Sequence, residues 1–120
     1  MKRDLDLVRA ILLLVEEKED CRAKVFAAGQ ATDAELYHVQ LLLDAELLKE
    51  VGTVRSSQKR KVQLTWQGHD YLDAVRDDQV WNRTKEAIRE TSGSTALELV
   101  KLVAIGFAKT KIAKHTGIEI

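Results

Sequence analysis

The chain has 120 residues, 45% of them hydrophobic and 32% charged, with 19 basic residues against 19 acidic ones. That balance fits one folded domain and excludes both a disordered polyelectrolyte and a chain held to nucleic acid by bulk charge. Cys21 is the only cysteine, so no internal disulfide forms. The absence of a cleavable leader and of a membrane-length apolar run points to the reducing cytoplasm.

Leu5, Val8, Ile11, Leu12 and Val15 recur at helical spacing and predict a first helix, with Asp4 as its N-cap and Asp6 beside it at the positive end of the helix dipole. Residues 23–29 are short and partly alternating, the pattern of a strand. Thr32 followed by Glu35 is a capping box that opens a second helix. In that helix Leu36, Val39, Leu42 and Leu43 form the expected buried stripe, while Glu35, His38 and Leu41 face away. Residues 47–51 are predicted to leave the helix as a strand, 52–57 to form a loop, and 60–65 to return as a second strand. Helix, strand, helix, strand, loop, strand is the order of a winged helix, with the loop as the wing.

A third helix is expected over residues 67–77, with Tyr71, Leu72 and Val75 inward and Trp66 packing its start. A fourth, capped by Asp78, carries Val80, Trp81, Thr84, Ala87 and Ile88. After the break at Ser92-Gly93-Ser94, a last helix starts at Thr95 with a second capping box to Glu98. Its stripe of Leu97, Val100, Val103, Ala104 and Phe107 is widened almost all round by Leu99, Leu102 and Ile105, so it needs cover on more than one side. The expected fold class is α+β, mostly helical. A winged-helix-like domain would occupy residues 1–78, and a C-terminal helical extension, 79–120, would pack on it or on a second subunit.

Several segments resemble the family called domain of unknown function 2513. They are Met1-Lys2-Arg3-Asp4-Leu5-Asp6-Leu7, Tyr37-His38-Val39 leading into Leu41-Leu42, the run from Leu64-Thr65-Trp66-Gln67-Gly68 through Asp78, and Val80-Trp81. The likeness covers nearly the whole chain and is most specific from Leu64 onward. It implies a winged-helix-like fold and a phage or mobile-element setting, and it implies no particular activity. Two departures stand out. Glu46 occupies the place where glycine is expected after the second helix, which bears on the turn into the next strand. The segment between the wing strands is also shorter than usual, which bears on any wing contact.

Charge is distributed unevenly. Residues 32–50 hold Asp33, Glu35, Asp44, Glu46 and Glu50 against Lys49 alone, whereas 51–65 hold Arg55, Lys59, Arg60 and Lys61 with no acid. A basic wing can neutralise phosphates of double-stranded DNA, so Arg55, Lys59, Arg60 and Lys61 are the candidate DNA contacts, with His38 and Gln40 as the side chains able to read base edges. The bland alternative is a solvated hairpin whose lysines protect a strand edge. The acids of the second helix repel a duplex and suit a rival reading: an adaptor without DNA binding, whose acidic 32–46 surface meets a basic host or phage protein.

Trp81, Leu99, Val103 and Phe107 are the candidate protein-interface residues, for a homodimer through the last helix; Trp81 is also the expected core residue of its helix. A helix lying on a membrane surface is the weaker alternative, because the polar face is thin at its centre. His69 beside Asp70 lacks both a nucleophile and an orienting third group. His38, His69, His115 and Cys21 show no zinc-ligand spacing. No enzymatic activity, cofactor or metal is expected.

Overall fold

A computed structural model describes residues 2–17, 24–27, 31–51, 59–91 and 97–116. They form a mostly helical α+β chain: α1 (Leu5–Glu16), β1 (Lys24–Ala27), α2 (Asp33–Asp44), β2 (Leu48–Glu50), β3 (Lys59–Leu64), α3 (Trp66–Val75), α4 (Asp78–Thr91) and α5 (Leu97–Thr116). The strands make one antiparallel sheet in the order β1-β3-β2. Two compact units divide the chain, Met1–Leu72 and Asp73–Ile120.

In the first unit, local signals set the helix starts. The Asp4 carboxylate accepts from the N–H groups of Asp6 at 3.0 Å and Leu7 at 3.3 Å, satisfying donors that the first turn leaves without helical partners. At α2 the capping box is complete: Thr32 Oγ1 accepts from Glu35 N–H at 3.1 Å, and the Glu35 carboxylate accepts from Thr32 N–H at 3.0 Å. Val8, Ile11, Leu12 and Val15 are buried on α1, Val39 and Leu42 on α2, and Phe26, Leu48 and Val62 on the sheet. Each such side chain contributes roughly 1.5–3 kcal/mol through removal from water. Helix α1 packs on α2 and β3, and α2 packs on β1 and β2.

The exit from α2 is a Schellman motif. Leu47 N–H donates to the Leu42 carbonyl at 3.0 Å and Glu46 N–H to the Leu43 carbonyl at 3.1 Å, while Leu42 and Leu47 are both buried, as the hydrophobic contact of this motif requires. Its pivot, Glu46, has φ 63, the left-handed region that glycine occupies without cost. The turn expected to use glycine is therefore kept here with a glutamate.

The carbonyl left facing out of this turn organises the start of α3. Thr65 N–H donates to the Leu47 carbonyl at 3.1 Å, and Thr65 Oγ1 donates to the Glu46 carbonyl at 2.6 Å while accepting from Gly68 N–H at 3.0 Å. One threonine caps α3 and ties it to the end of α2. Gly68 is buried, and a Cβ there would land on the Leu47 carbonyl oxygen. Trp66 does not pack the helix start as expected: it is 80% exposed, because the close approach at this end of α3 is made by backbone and leaves the first-turn side chain outside. Tyr71 and Leu72, on the other face, are buried.

In the second unit α4 packs on α5. The cap of α4 is Asp77 rather than Asp78: Asp77 Oδ1 accepts from Val80 N–H at 3.0 Å, and Asp78 already lies in the first turn. Val80, Trp81, Thr84 and Ile88 are buried on α4, and Val100 and Ala104 on α5. The Thr84 hydroxyl donates to the Val80 carbonyl at 2.7 Å, so this buried polar group is satisfied within its own helix. The capping box proposed at Thr95 lies outside the described residues. Among the described residues no helix is long and apolar enough to cross a membrane.

Two substitutions test this account of the α2–α3 junction. Gly68→Ala must displace the Leu47 carbonyl and is expected to lower the unfolding free energy by about 3 kcal/mol, read as a fall in denaturant midpoint. Glu46→Gly relieves the left-handed backbone and is expected to raise it by about 0.5 kcal/mol after the added unfolded-chain entropy is subtracted. A decrease for Glu46→Gly in chemical denaturation would contradict the reading.

Candidate nucleic-acid interface

The sheet register decides which basic residues share a surface. Residues directly opposite in neighbouring strands project from the same face, and alternate residues of one strand share a face. Strand β3 pairs Lys24↔Val62, Val25↔Lys61, Phe26↔Arg60 and Ala27↔Lys59 with β1, and Leu48↔Leu64, Lys49↔Gln63 and Glu50↔Val62 with β2. The core face is marked by buried Phe26, Leu48 and Val62. Positions 59, 61 and 63 of β3, with Lys49 of β2, belong to the opposite face.

This divides the basic residues that the sequence assigns to one wing. Strand β3 takes in Lys59 together with Arg60 and Lys61, and strand alternation assigns position 60 to the face of Phe26 and Val62, away from 59 and 61. Arg55 lies outside the described residues. Lys61 is half-buried, whereas Lys49 is exposed and was not singled out from the sequence. Its sole cationic place in an acidic stretch hid it, although strand alternation read across the β2–β3 pair carries the signal.

His38 was expected to face outward and read bases. It is 1% exposed. Its Nε2 accepts from Asp4 N–H at 2.8 Å and its Nδ1 lies 2.7 Å from the Ala34 carbonyl. A backbone N–H can only donate and a carbonyl can only accept, so the ring carries its proton on Nδ1 and gives it to Ala34. The imidazole thereby fastens the first residues of α1 to α2. It is unavailable to a base edge. The neighbouring Tyr37 ring meets it edge-on, with centroids 5.6 Å apart. Gln40, the second proposed reader, is half-buried and donates to the Asp44 carboxylate at 2.9 Å.

The acidic surface of α2 is partly committed to structure. Glu35 serves the capping box, while Asp33, Asp44 and Glu46 are exposed. Of the proposed interface residues in the second unit, Trp81 is 2% exposed and belongs to the interior. Val103 and Phe107 are half-buried, and the Arg83 guanidinium stands 5.0 Å above the Phe107 ring. Leu99 is 37% exposed, and Leu102, which was not proposed, is 64% exposed.

Among the described residues no group of three or more His, Cys, Asp or Glu side chains is gathered as metal ligands would be. His69 and Asp70 are exposed on α3. Among the described residues Tyr71 Oη, a buried side-chain polar atom, has no hydrogen-bond partner, and burial pushes its phenol well above its usual pKa.

Comparison with known proteins adds the following. The family model described as "Hypothetical protein (DUF2513)" matches residues 2–94. An "Uncharacterized protein" of Haemophilus influenzae is 37% identical over 109 residues, covering 87% of this chain and 92% of the relative. No solved structure matches.

Replacing His38 by Leu keeps most of the buried volume but removes both ring hydrogen bonds. The expected outcome is a loss of about 2 kcal/mol, measured by thermal unfolding, with any binding to duplex DNA unchanged below the melting transition.

Proposed function

This chain belongs to the DUF2513 family, and from that premise we propose that it is a non-enzymatic regulatory protein of winged-helix type that meets the phosphate backbone of duplex DNA through its β2–β3 hairpin. The helix-strand-helix-strand-strand order and the β1-β3-β2 sheet support the fold assignment. The phage or mobile-element setting follows from the family resemblance. The observation that carries the DNA reading is the register of the hairpin, which groups Lys49 with Lys61 and position 59 on the face turned away from the core. Lysines held at strand spacing form a row of point charges able to follow a phosphate backbone, and each contact releases condensed counterions. With His38 buried and Gln40 engaged, α2 supplies no free base reader among the residues first proposed. Recognition through this hairpin would therefore be dominated by backbone contacts and by DNA shape.

A second reading has support of its own. Trp66 is 80% exposed and follows Thr65, whose hydroxyl holds the Glu46 carbonyl. An open indole thus follows the residue that is hydrogen-bonded to the acidic end of α2, where Asp44 and Glu46 are exposed. Aromatic surface beside carboxylates suits a basic protein segment, whose cations gain from both.

The two readings part on one measurement. In fluorescence anisotropy with a mixed-sequence duplex at low salt, the DNA reading expects binding that the Lys49→Ala, Lys61→Ala double variant weakens. The slope of log affinity against log salt is expected to fall by about 0.9 for each phosphate contact removed. Absence of binding by the native protein, or a slope unmoved by the double variant, would refute it. Trp66→Ala is expected to leave that slope alone while reducing capture of a basic partner.

A further inference from the structure

Helix α5 presents an exposed apolar surface on the side away from its buried residues. Val100 and Ala104 are buried, and at 100° per residue the opposite arc holds Glu98, Leu99, Leu102, Gly106 and Lys109, every one of them exposed. Leu102, 64% exposed, is the most open large aliphatic side chain of the described residues. One turn on, Gly106 would meet nothing within 4 Å if it carried a Cβ. Glycine is a poor helix former, and nothing among the described residues asks for it in the middle of a 20-residue helix. Leu102 is a projection and Gly106 a recess on the same face, about 6 Å apart along the axis.

We propose that this face binds a second copy of itself, α5 against α5 in antiparallel orientation, with Leu102 of each copy seated over Gly106 of the other. A two-fold axis passing between positions 102 and 106 makes both contacts at once, as an isologous interface requires. Charge selects the orientation. Glu98 lies at one end of the face and Lys109 at the other, both exposed. The antiparallel arrangement sets the carboxylate of each copy beside the ammonium of its mate, whereas a parallel one would oppose like charges at both ends. The recess at Gly106 allows the two helix backbones to approach closely there. The Gly106 carbonyl, bared by the missing side chain, also accepts from the Thr110 hydroxyl at 3.1 Å, so it is not left to a partner. The pairing is independent of what the hairpin binds.

The test is the mass of the full-length protein by light scattering and sedimentation equilibrium, with circular dichroism as the control for folding. The native chain is expected to be a dimer. Leu102→Glu and Gly106→Leu are each expected to raise its dissociation constant at least about tenfold. Gly106→Leu is the discriminating variant, since it improves helix propensity and its Cβ meets no described atom within 4 Å, so helicity is expected to hold or rise while the dimer is lost. Glu98→Lys and Lys109→Glu singly are expected to weaken association and together to restore it. A monomeric native protein overturns the proposal. So does a dimer indifferent to Leu102→Glu and Gly106→Leu, which would be built on another surface, or a double charge reversal that fails to restore association.

Discussion

The Leu47 carbonyl is the point on which the first unit turns. It lies at the exit of α2, where a left-handed residue has reversed the chain, and it accepts from Thr65 N–H just before α3 begins. The same threonine holds the neighbouring Glu46 carbonyl and caps α3 through Gly68. These contacts fix the two ends of the β2–β3 hairpin relative to each other, so the register Leu48↔Leu64 follows directly from them. A slip of one residue would send Leu48 and Val62 to solvent and the lysines into the core. The Leu-Thr-Trp-Gln-Gly run therefore reads as a structural device: threonine for two hydrogen bonds, glycine because no side chain fits against the carbonyl.

A second polar lock works at the other end of α2. His38 spans from the Ala34 carbonyl to the Asp4 backbone N–H, joining residues 34 positions apart in sequence. Asp4 meanwhile caps α1 with its side chain. A buried imidazole with both nitrogens satisfied avoids the penalty of an unpaired polar group and specifies how α1 lies on α2 more narrowly than aliphatic contacts would. Such a histidine is a component of the fold, with both ring nitrogens engaged by backbone.

The functional reading follows from how these locks divide the surface. The core face of the sheet is consumed by Phe26, Leu48 and Val62, which leaves the Lys49 and Lys61 face as the one that can meet an anionic partner. The acidic residues of α2, with Trp66 near its end, form a surface of opposite character. One small unit thus carries two chemically distinct surfaces, and the separate α4–α5 unit adds an apolar one. That separation is what allows DNA contact, protein contact and self-association to be probed by different substitutions.

Much of the fold was legible in the sequence because its signals are short-ranged. The 3.6-residue recurrence in α1, the Asp4 cap, the Thr32–Glu35 box and the alternation of β3 concern hydrogen bonds and faces within a few residues, and each appeared as expected. The site was less legible. His38 borders the Val39–Leu42 stripe, and only the arrival of Asp4 from a distant segment turned it from a surface reader into a buried strut. The same holds for Trp66, left open because backbone occupies its end of α3, and for the basic triplet, divided between faces once β1 and β2 fixed its register. Sequence alone determined the order and approximate extent of the helices and strands and which residues could be apolar or charged. Tertiary structure decided which of those faces met another part of the chain, because that depends on groups far apart in sequence competing for the same space and the same hydrogen bonds.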